Sequence, residues 1–430
     1  MERKEANNLM ANERDEEFNP MDVPKLEELY YITHINNLPS ILKNGILSGN
    51  NVIKKGIMPV RIVDKELVEK RSFLKIPLKK GLFDYVALYF QPRNAMLYRI
   101  VRFGSYSIDD IVILELDSKK ILKMQDVVIT DGNPVHPLTH FLENVNEKHI
   151  KKIREQINKS WWIEEDGSKR KMMAECLVPE MVPPNYIISV YTATEKATQK
   201  IKSLYFTYKF RVICEPWLFF QHRSSENITD NLKLVKGDIF FSSMQTITIT
   251  VNTIGVMGKG LADRAKRQFP DCYVVYQDLC KRKEIKLGIP VIYKREIWID
   301  RKLAEEGENL PQEKLLRKPT WFLFFPTKDK PQNKSNKVMI EEGLKWLIKN
   351  YKQEGIDSLA IPALGCGLGG LKWEAMKSLF FTYLSKLDIP VELYVPGNEE
   401  ISKGRTKAWK GKSVPRSQTA GPQQLFEQEE

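Results

Sequence analysis

Two glycine-rich stretches in the second half of the chain have the spacing of phosphate-binding loops. One follows an apolar run that ends at Val251 and has the sequence NTIGVMGKG over Asn252–Gly260. The other follows the apolar run Leu359–Ile361 and has the sequence PALGCGLGGLKW over Pro362–Trp373. Glycine permits positive φ angles and lets backbone N–H groups approach a ligand closely. A loop of this kind that opens a helix favours an anion, although packing alone also produces glycine-rich turns. The pair predicts two loops that hold a diphosphate between them.

Four motifs, in order, give this half a resemblance to a known family. They are GDIF at Gly237–Phe240, the two glycine-rich loops, and FPTK at Phe325–Lys328. With them the second half resembles a macrodomain of the DarG type, a DNA ADP-ribosyl glycohydrolase that is the antitoxin to a DNA-modifying toxin. The resemblance implies an ADP-ribose ligand, with Asp238 at the adenine amino group and Asn252 at the distal ribose. The implied contacts are Asp238, Ile239, Asn252, Gly258, Gly260, Gly365, Cys366, Gly367, Leu368 and Gly369.

Lys328 is the residue of this half that we expect to carry the chemistry. It matches the lysine on which DarG-type hydrolases depend, and it follows an apolar strand expected at Trp321–Phe325. An amine that emerges from such a strand can have a lowered pKa and act as a nucleophile or a proton carrier. Attack on the ribose carbon and activation of water both stay open. Some related hydrolases have an aspartate at the position of Gly369, so this lysine would work without that acid. On spacing alone, Lys328 would be an ordinary strand-end lysine and Asp238 the cap of a turn.

The first half contains four further motifs that resemble a second family. They are YYITHINNLPSIL at Tyr30–Leu42, DYVALYFQPRNAMLYRI at Asp84–Ile100, TDGN at Thr130–Asn133 and KMMAECLV at Lys171–Val178. With them this half resembles DarT, the toxin partner of DarG, which uses NAD to ADP-ribosylate thymidine bases in single-stranded DNA. The two halves match the two members of one toxin–antitoxin system. The resemblance therefore implies a natural fusion of a DNA ADP-ribosyltransferase with an ADP-ribosyl glycohydrolase.

Two charged residues are expected to carry the transfer. Breaking the nicotinamide–ribose bond builds positive charge on the sugar, so a carboxylate must stand beside it. Glu175 matches the family's catalytic glutamate; without the resemblance it would be an edge-strand carboxylate in water. The accepting imide nitrogen loses a proton, and an arginine can stabilise the resulting anion. Arg71, in VEKRS, falls at the family's active-site arginine, with Lys70 and Lys75 as alternatives and a surface charge as the simpler interpretation.

The expected NAD contacts come mainly from the first predicted strand. Thr33 and His34 match the family's strand on the nicotinamide side, and Tyr31 stands where the family usually has a histidine. Tyrosine can still hydrogen-bond a ribose hydroxyl or an amide, but its reach differs. His34 could equally be a structural histidine. Arg93, with Tyr89, is a candidate contact for NAD or DNA.

Composition excludes several classes of protein. The chain has 430 residues, 42% of them hydrophobic, and a mean hydropathy of −0.38. No apolar run approaches the ~20 residues that a membrane helix needs, and the polar start lacks the apolar core of a signal peptide. We therefore expect a cytoplasmic protein with no membrane partner. The five cysteines show no paired spacing, so neither a disulfide framework nor a metal site is expected.

The formal net charge of +12 is concentrated in two basic segments of the first half. The first comprises Lys54, Lys55, Arg61, Lys65, Lys70, Arg71, Lys75, Lys79 and Lys80; the second comprises Lys148, Lys151, Lys152, Arg154, Lys159, Lys169, Arg170 and Lys171. Basic residues interleaved with aromatic ones suit single-stranded nucleic acid, because lysines meet phosphates and rings stack on bases. Solvated helix faces are the alternative.

The hydrophobic patterns divide the chain into five segments. They are a disordered leader at 1–23, an α+β transferase domain at 24–215, a linker at 216–229, an α/β macrodomain at 230–400 and a disordered tail at 401–430. Trp217 and its apolar neighbours indicate that the linker packs against a domain. In the macrodomain, alternating strands and helices predict three layers around a mostly parallel sheet. In the transferase domain, His140–Ser160 is expected to be helical.

Two other functions stay open on the sequence. The macrodomain could be a reader that binds ADP-ribosylated DNA without cleaving it, which Lys328 argues against. The transferase half could be degenerate, leaving a DNA-binding hydrolase; Tyr31 supports this and Glu175 opposes it. The sequence indicates neither the preferred DNA motif nor the oligomeric state.

Overall fold

The computed structural model describes residues 26–63, 65–73, 80–103, 105–143, 145–157, 161–162, 166–205, 207–295 and 320–396. The predicted leader and tail lie outside these ranges, as does Asp64, the predicted cap of the helix that follows it. Within these ranges, no helix combines the length and hydropathy needed to cross a membrane.

The first half is built on an eight-stranded sheet. Its strands and those of a separate two-stranded sheet are β1 (Leu29–His34), β2 (Ile46–Leu47), β3 (Tyr85–Tyr89), β4 (Ile111–Leu116), β5 (Val128–Thr130), β6 (Phe141–Leu142), β7 (Glu175–Pro179), β8 (Met181–Val182), β9 (Ile187–Thr192) and β10 (Arg211–Cys214). The order in the large sheet is β10-β9-β4-β1-β3-β7-β5-β6, while β2 pairs with β8. Its pairs are antiparallel except for β9 with β10. The sheet therefore places the start of β7 next to the end of β3, where Glu175 pairs with Tyr89.

The second half is built on a seven-stranded mixed sheet. Its strands are β11 (Ser224–Asn227), β12 (Leu232–Lys236), β13 (Thr246–Val251), β14 (Val291–Tyr293), β15 (Trp321–Pro326), β16 (Leu359–Pro362) and β17 (Val391–Tyr394). The order is β11-β12-β17-β16-β13-β15-β14. The pairs from β12 to β15 are parallel, and the two edge strands are antiparallel to their neighbours. Because parallel strands end at one edge, β13, β15 and β16 bring their following loops together.

The α-helices of the described ranges connect these strands. They span Leu38–Asn44, Gly49–Lys54, Lys65–Phe73, Ala95–Phe103, Ser118–Ile121, Glu147–Ile157, Ser168–Met172, Glu195–Leu204, Gly260–Gln268, Pro270–Lys281, Lys337–Glu354 and Trp373–Leu384. Short 3₁₀ helices cover Ile35–Asn37, Leu82–Asp84, Ile108–Asp110, Pro184–Tyr186, Pro216–Phe219 and Ile239–Phe241.

Both faces of the second sheet are buried. Along β15, Leu323 and Phe325 belong to one apolar cluster, and Phe322 and Phe324 belong to another. Successive side chains of a strand point to opposite faces, so an all-apolar strand needs cover on both sides. The helices Lys337–Glu354 and Trp373–Leu384 supply one cluster, while Gly260–Gln268 and Pro270–Lys281 supply the other.

The segment predicted as a linker is packed. Its 3₁₀ helix Pro216–Phe219 contributes Trp217, Leu218 and Phe219 to the core of the first half, together with Phe220. Residues Ser224–Asn227 form the edge strand β11 of the second sheet. The apolar residues that made a free linker implausible are thus buried.

The prediction for His140–Ser160 was wrong at its start. Phe141 and Leu142 form β6, which pairs with β5, and the helix begins only at Glu147. Asn146 accepts a hydrogen bond from the backbone N–H of His149 through its side chain, so it starts the helix by a local contact. Residues 158–160 lie outside the described ranges.

Candidate active sites of the two halves

Arg71 and Glu175 form a two-pronged ion pair across 104 residues of sequence. Arg71 Nη1 and Nη2 donate to Glu175 Oε1 and Oε2 at 3.0 and 2.7 Å. The Glu175 side chain is fully buried, and that of Arg71 is 26% exposed. The parallel geometry fixes the orientation of both planes. The structure thus brings the predicted catalytic carboxylate and the predicted active-site arginine into direct contact. The side chains of the alternatives Lys70 and Lys75 are outside the described structure.

The backbone of Glu175 is held by the TDGN motif. Thr130 Oγ1 accepts from the N–H of Glu175 at 2.9 Å and donates to the carbonyl of Gly132 at 2.7 Å. Asp131 of the same motif pairs with Arg170 of the helix Ser168–Met172 at 2.8 Å. Thr130 was not singled out from the sequence as a site residue, although its motif was recognised. TDGN thus holds the backbone that carries the Glu175 carboxylate, while its own carboxylate, Asp131, is paired with Arg170.

The three β1 residues predicted to contact NAD have different surroundings. Burial raises the pKa of the Tyr31 phenol. Thr33 Oγ1 accepts from the side-chain amide of Asn37 at 3.0 Å. His34 Nδ1 accepts from the backbone N–H of Asn36 at 3.1 Å, and burial lowers the pKa of the imidazole. His34 therefore has a capping contact of its own, and a neutral ring would carry its proton on Nε2.

Arg93, the other predicted NAD contact, lies buried among aromatic rings. Its guanidinium carbon is 4.2 Å from the ring centre of Trp217, 4.6 Å from Phe220 and 5.0 Å from Phe241. Burial lowers its pKa to about 9, so it stays charged at neutral pH. Phe241 belongs to the second half, so Arg93 contributes to the junction between the halves. A role in packing follows directly from these contacts.

Asn252 organises the first glycine-rich loop. Its Nδ2 donates to the carbonyl of Val256 at 2.6 Å, and its Oδ1 accepts from the N–H of Ile254 at 3.1 Å. Tyr276, on a helix that was not predicted, donates to Asn252 Oδ1 at 2.9 Å. The side-chain amide of Asn252 therefore stabilises the conformation of the loop by hydrogen bonds to the loop's own backbone. Gly255 and Gly260 have positive φ angles of 82° and 61°, as the loop's glycines predict.

The second loop is shaped by contacts at Gly365 and Gly369. The carbonyl of Gly365 accepts from the N–H of Leu371 at 2.9 Å, and that of Gly369 accepts from the N–H of Ser335 at 2.9 Å. A Cβ at Gly369 would lie 2.3 Å from Ser335 Oγ and 2.6 Å from the carbonyl oxygen of Gly365. At Gly367 a Cβ would meet no atom within 4 Å. The position where related hydrolases have an aspartate is thus closed here, whereas Gly367 faces open space.

Gly369→Ala should therefore destabilise the second half, and Gly367→Ala should not. Neither glycine has a positive φ, so the two substitutions differ in steric fit alone. We expect Gly369→Ala to cost about 1–3 kcal/mol because the backbone of the loop must shift, and Gly367→Ala to change stability by less than about 0.5 kcal/mol. Urea unfolding followed by tryptophan fluorescence measures both. Equal stability of the two variants would contradict this account of the loop.

Lys328 lies between β15 and the second loop. Its Nζ donates to the carbonyl of Pro331 at 2.9 Å and lies 3.5 Å from the carbonyl of Leu368. Burial lowers the pKa of this half-buried amine. The structure thus brings the predicted catalytic lysine to the GCGLGG loop, 40 residues away in sequence. A lowered pKa increases the fraction of neutral amine, the form that attacks carbon or accepts a proton.

Asp238 lies at the start of the 3₁₀ helix Ile239–Phe241. Its Oδ1 accepts from the N–H of Phe240 at 3.1 Å, and its Oδ2 lies 3.3 Å from Nη2 of Arg264. Both predicted roles, turn cap and ligand acceptor, are compatible with this geometry because a carboxylate has about four acceptor positions. Arg264 lies in none of the recognised motifs, so the sequence did not predict its contact with Asp238.

The two basic segments differ in how much of their charge faces solvent. In the first, Lys54, Lys55, Arg61 and Lys80 are exposed. In the second, Lys169 is buried, Arg170 pairs with Asp131, and Arg154 donates to the carbonyl of Leu26 at 2.6 Å. Among the described side chains, the exposed charges of the first segment and the lysines at 148, 151 and 152 are therefore the ones available to a polyanion.

No group of three or more His, Cys, Asp or Glu side chains in the described ranges could hold a metal ion. The five cysteines are free thiols.

Comparison with known proteins identifies both halves. Residues 30–220 match the family "ssDNA thymidine ADP-ribosyltransferase, DarT", and residues 249–380 match the Macro domain family. A DNA ADP-ribosyl glycohydrolase of Thermus aquaticus is 34% identical over 38% of this chain and 41% of its own length.

A full-length relative shows the same combination. A DNA ADP-ribosyl transferase–DNA ADP-ribosyl glycohydrolase fusion protein of Thermosipho africanus is 47% identical over 378 residues, which are 88% of this chain and 96% of that protein. The solved structure of Thermosipho africanus DarTG in complex with ADP-ribose has a TM-score of 0.80 and 45% identity, covering 87% of this chain and 97% of that chain. With the relative matched over nearly its whole length, the chain belongs to the family of DarTG fusion proteins, in which a DNA ADP-ribosyl transferase precedes a DNA ADP-ribosyl glycohydrolase.

Proposed function

We propose that this protein both adds ADP-ribose to thymidine bases of single-stranded DNA and removes it. The first half takes the ADP-ribosyl group from NAD and releases nicotinamide; the second half hydrolyses the bond between ADP-ribose and the base. The protein is a fused toxin and antitoxin that acts in the cytoplasm. The observation that carries the proposal is the Arg71–Glu175 pair, because it joins the two charges that base ADP-ribosylation needs.

In the transfer step, the bond from the ribose C1′ to nicotinamide breaks and a bond from C1′ to the imide nitrogen of thymine forms. Nicotinamide leaves with the electron pair of the broken bond, and the imide proton passes to solvent. Glu175 stabilises the positive charge that develops on the ribose. Arg71, which stays charged, stabilises the base as it loses its proton. Because the two side chains touch, the ribose and the base must both reach this one pair, of which Arg71 is the partly exposed member.

In the removal step, the two glycine-rich loops hold the diphosphate through backbone N–H groups, and Asp238 accepts from the adenine amino group. Asn252 lies at the distal ribose, and Lys328 is nearest the bond to thymine. Water supplies the atoms that complete the hydrolysis, so free ADP-ribose and unmodified thymidine result. Lys328 either forms a transient bond to the ribose carbon or accepts the proton of the attacking water.

We assign the transferase domain to residues 24–215 and the macrodomain to residues 230–400, and the packed segment between them adds Pro216–Phe219 to the core of the first half and Ser224–Asn227 to the sheet of the second. The two apolar clusters on opposite faces of the second sheet support a three-layer macrodomain with a mostly parallel sheet.

The test of this function is to incubate the Lys328→Ala protein, in which removal is expected to be blocked, with NAD and single-stranded oligonucleotides with and without thymidine. Mass spectrometry should show one ADP-ribosyl group on thymidine-containing strands and none on the others. Modification of thymidine-free strands, or none in any strand when removal is blocked, would contradict the proposal.

DNA binding should be strongly salt-dependent, and the first basic segment should contribute to it. Each phosphate contact with single-stranded DNA contributes about −0.7 to the slope of log K against log salt concentration. Changing the exposed Lys54 and Lys55 to glutamine should therefore make the slope less steep by about 1.4. Fluorescence anisotropy of a labelled oligonucleotide measures this slope.

A matched control removes the same charge elsewhere. Lys345 and Lys349 lie exposed on the helix Lys337–Glu354 of the second half. Changing both to glutamine should leave the slope as in the unaltered protein. Equal effects of the two double variants would show that net charge, rather than the first segment, determines binding.

A further inference from the structure

The segment that carries Asp238 lies between the predicted adenine site and the first half of the chain. Asp238 caps the 3₁₀ helix Ile239–Phe241. At the other end of this helix, the ring centre of Phe241 is 5.0 Å from that of Phe220 and 5.5 Å from that of Trp161. One short turn therefore contributes a carboxylate to the ligand site and an aromatic ring to the junction between the halves.

Arg264 makes a second connection between Asp238 and the first half. Its Nη2 lies 3.3 Å from Asp238 Oδ2, and its Nε donates to Gln268 at 3.0 Å. Its guanidinium carbon is 5.2 Å from the ring centre of Trp161 and 5.6 Å from that of Phe240. Arg264 is only 6% exposed, so its charge depends on the carboxylate and on these ring faces rather than on water.

We propose that Arg264 and Trp161 are positioning residues for the adenine site, so that a residue of the transferase half completes the ligand site of the macrodomain. The proposal rests on the proposed role of Asp238 as acceptor for the adenine amino group. Both residues act through Asp238 and not through contact with the reacting bond. Arg264 fixes Oδ2 while the backbone of Phe240 fixes Oδ1, so the carboxylate is held in one orientation before the ligand arrives.

The consequence of losing Trp161 follows from the burial of Arg264. Without the indole, one face of the guanidinium opens to water, which competes with Asp238 for its N–H donors. The carboxylate then rotates more freely, and the adenine amino group loses an aligned acceptor. Binding weakens, but the step at Lys328 keeps its geometry. The effect should therefore appear in KM and in adenine recognition, with kcat unchanged.

Trp161→Leu in the full chain tests this. The Kd for ADP-ribose, measured by calorimetry, should rise about threefold to thirtyfold. The Kd for the hypoxanthine analogue IDP-ribose, which lacks the amino group, should rise less, so the preference for ADP-ribose should fall toward one. Trp161→Phe retains an aromatic face and should restore most of the preference. Arg264→Met removes the cation while filling its space, and it should abolish the preference even where Trp161→Leu lowers the yield of folded protein.

Trp162→Leu is the matched control. Trp162 is buried and stacks on Trp161 at 3.9 Å, and its other ring contacts are with Tyr98 and Phe220 of the first half. The Trp162→Leu protein should bind ADP-ribose and IDP-ribose with the affinities of the unaltered protein. If Trp161→Leu and Trp162→Leu weakened both ligands equally, the contacts would be general packing and the inference would be overturned.

Asp238→Ala separates this inference from the proposed function. If Asp238→Ala kept the preference for ADP-ribose, the assignment of the adenine site itself would fail. If Asp238→Ala lost the preference while Trp161→Leu and Arg264→Met kept it, the site would stand and the positioning role alone would be wrong.

Discussion

Lys328→Ala should bind ADP-ribose nearly as well as the unaltered protein but hydrolyse ADP-ribosylated DNA at least about 100-fold more slowly. Affinity comes mainly from the backbone of the two loops and from Asp238, whereas the amine lies beside the loop at Leu368. Removing it therefore takes away the chemical step and not the main contacts. Calorimetry with ADP-ribose and a hydrolysis time course on a modified oligonucleotide measure the two effects.

The control for this variant is Lys330→Ala. Lys330 lies two residues further along the same loop and is exposed, so the substitution removes an equal charge without reaching the site. It should leave hydrolysis unchanged. In cells, Lys328→Ala should be toxic where the unaltered protein is tolerated, because the transfer is no longer reversed. Hydrolysis by Lys328→Ala at the normal rate would remove this residue from the mechanism.

Glu175→Ala should reduce transfer of ADP-ribose to DNA by at least about 100-fold, the cost of losing a charge partner of the transition state. Its carboxylate is fully buried and paired with Arg71, so the variant also removes this ion pair and leaves the space of a buried carboxylate empty. Glu175→Gln keeps the shape and, through its amide oxygen, one of the two hydrogen bonds from Arg71, but not the charge. It should lose activity to a similar degree while melting at a higher temperature than Glu175→Ala.

Two outcomes would contradict the role of Glu175. One is retention of transfer by Glu175→Gln, which would show that the side chain positions Arg71 and contributes no charge. The other is toxicity in cells of the double variant Glu175→Ala/Lys328→Ala, which should be as well tolerated as the unaltered protein. The exposed Glu180, which pairs with Lys80 at 3.2 Å, offers a control: Glu180→Gln should transfer normally.

Local patterns were sufficient for most of the sheet elements. The apolar run Trp321–Phe325 forms β15, because a strand buried on both faces needs apolar side chains on both. Thr246–Val251 forms β13, as its period-two alternation of threonine with isoleucine and valine predicts. The helix Pro270–Lys281 was not predicted. Its sequence, PDCYVVYQDLCK, contains valines and tyrosines that disfavour helices when isolated, and its packing around Tyr276 overrides this preference.

Contacts between distant residues could not be predicted from local patterns. The resemblance to known families identified Glu175 and Arg71 as candidates, but their direct pairing depends on the fold, which brings the Arg71 side chain to the first residue of β7. The link from Asp238 through Arg264 to Trp161 has no signal in the sequence at all. An arginine within an amphipathic helix looks like solvated surface until the fold buries it.

The most direct test that one chain both adds ADP-ribose to DNA and removes it uses one variant for each activity. An oligonucleotide is first modified with NAD by the Lys328→Ala protein and purified, then incubated without NAD with the Glu175→Ala protein. We predict that all of the modified DNA returns to unmodified thymidine DNA and that free ADP-ribose is released. Mass spectrometry measures both products. DNA that stays modified while bound to the Glu175→Ala protein would contradict the account and identify the second half as a reader of ADP-ribosylated DNA.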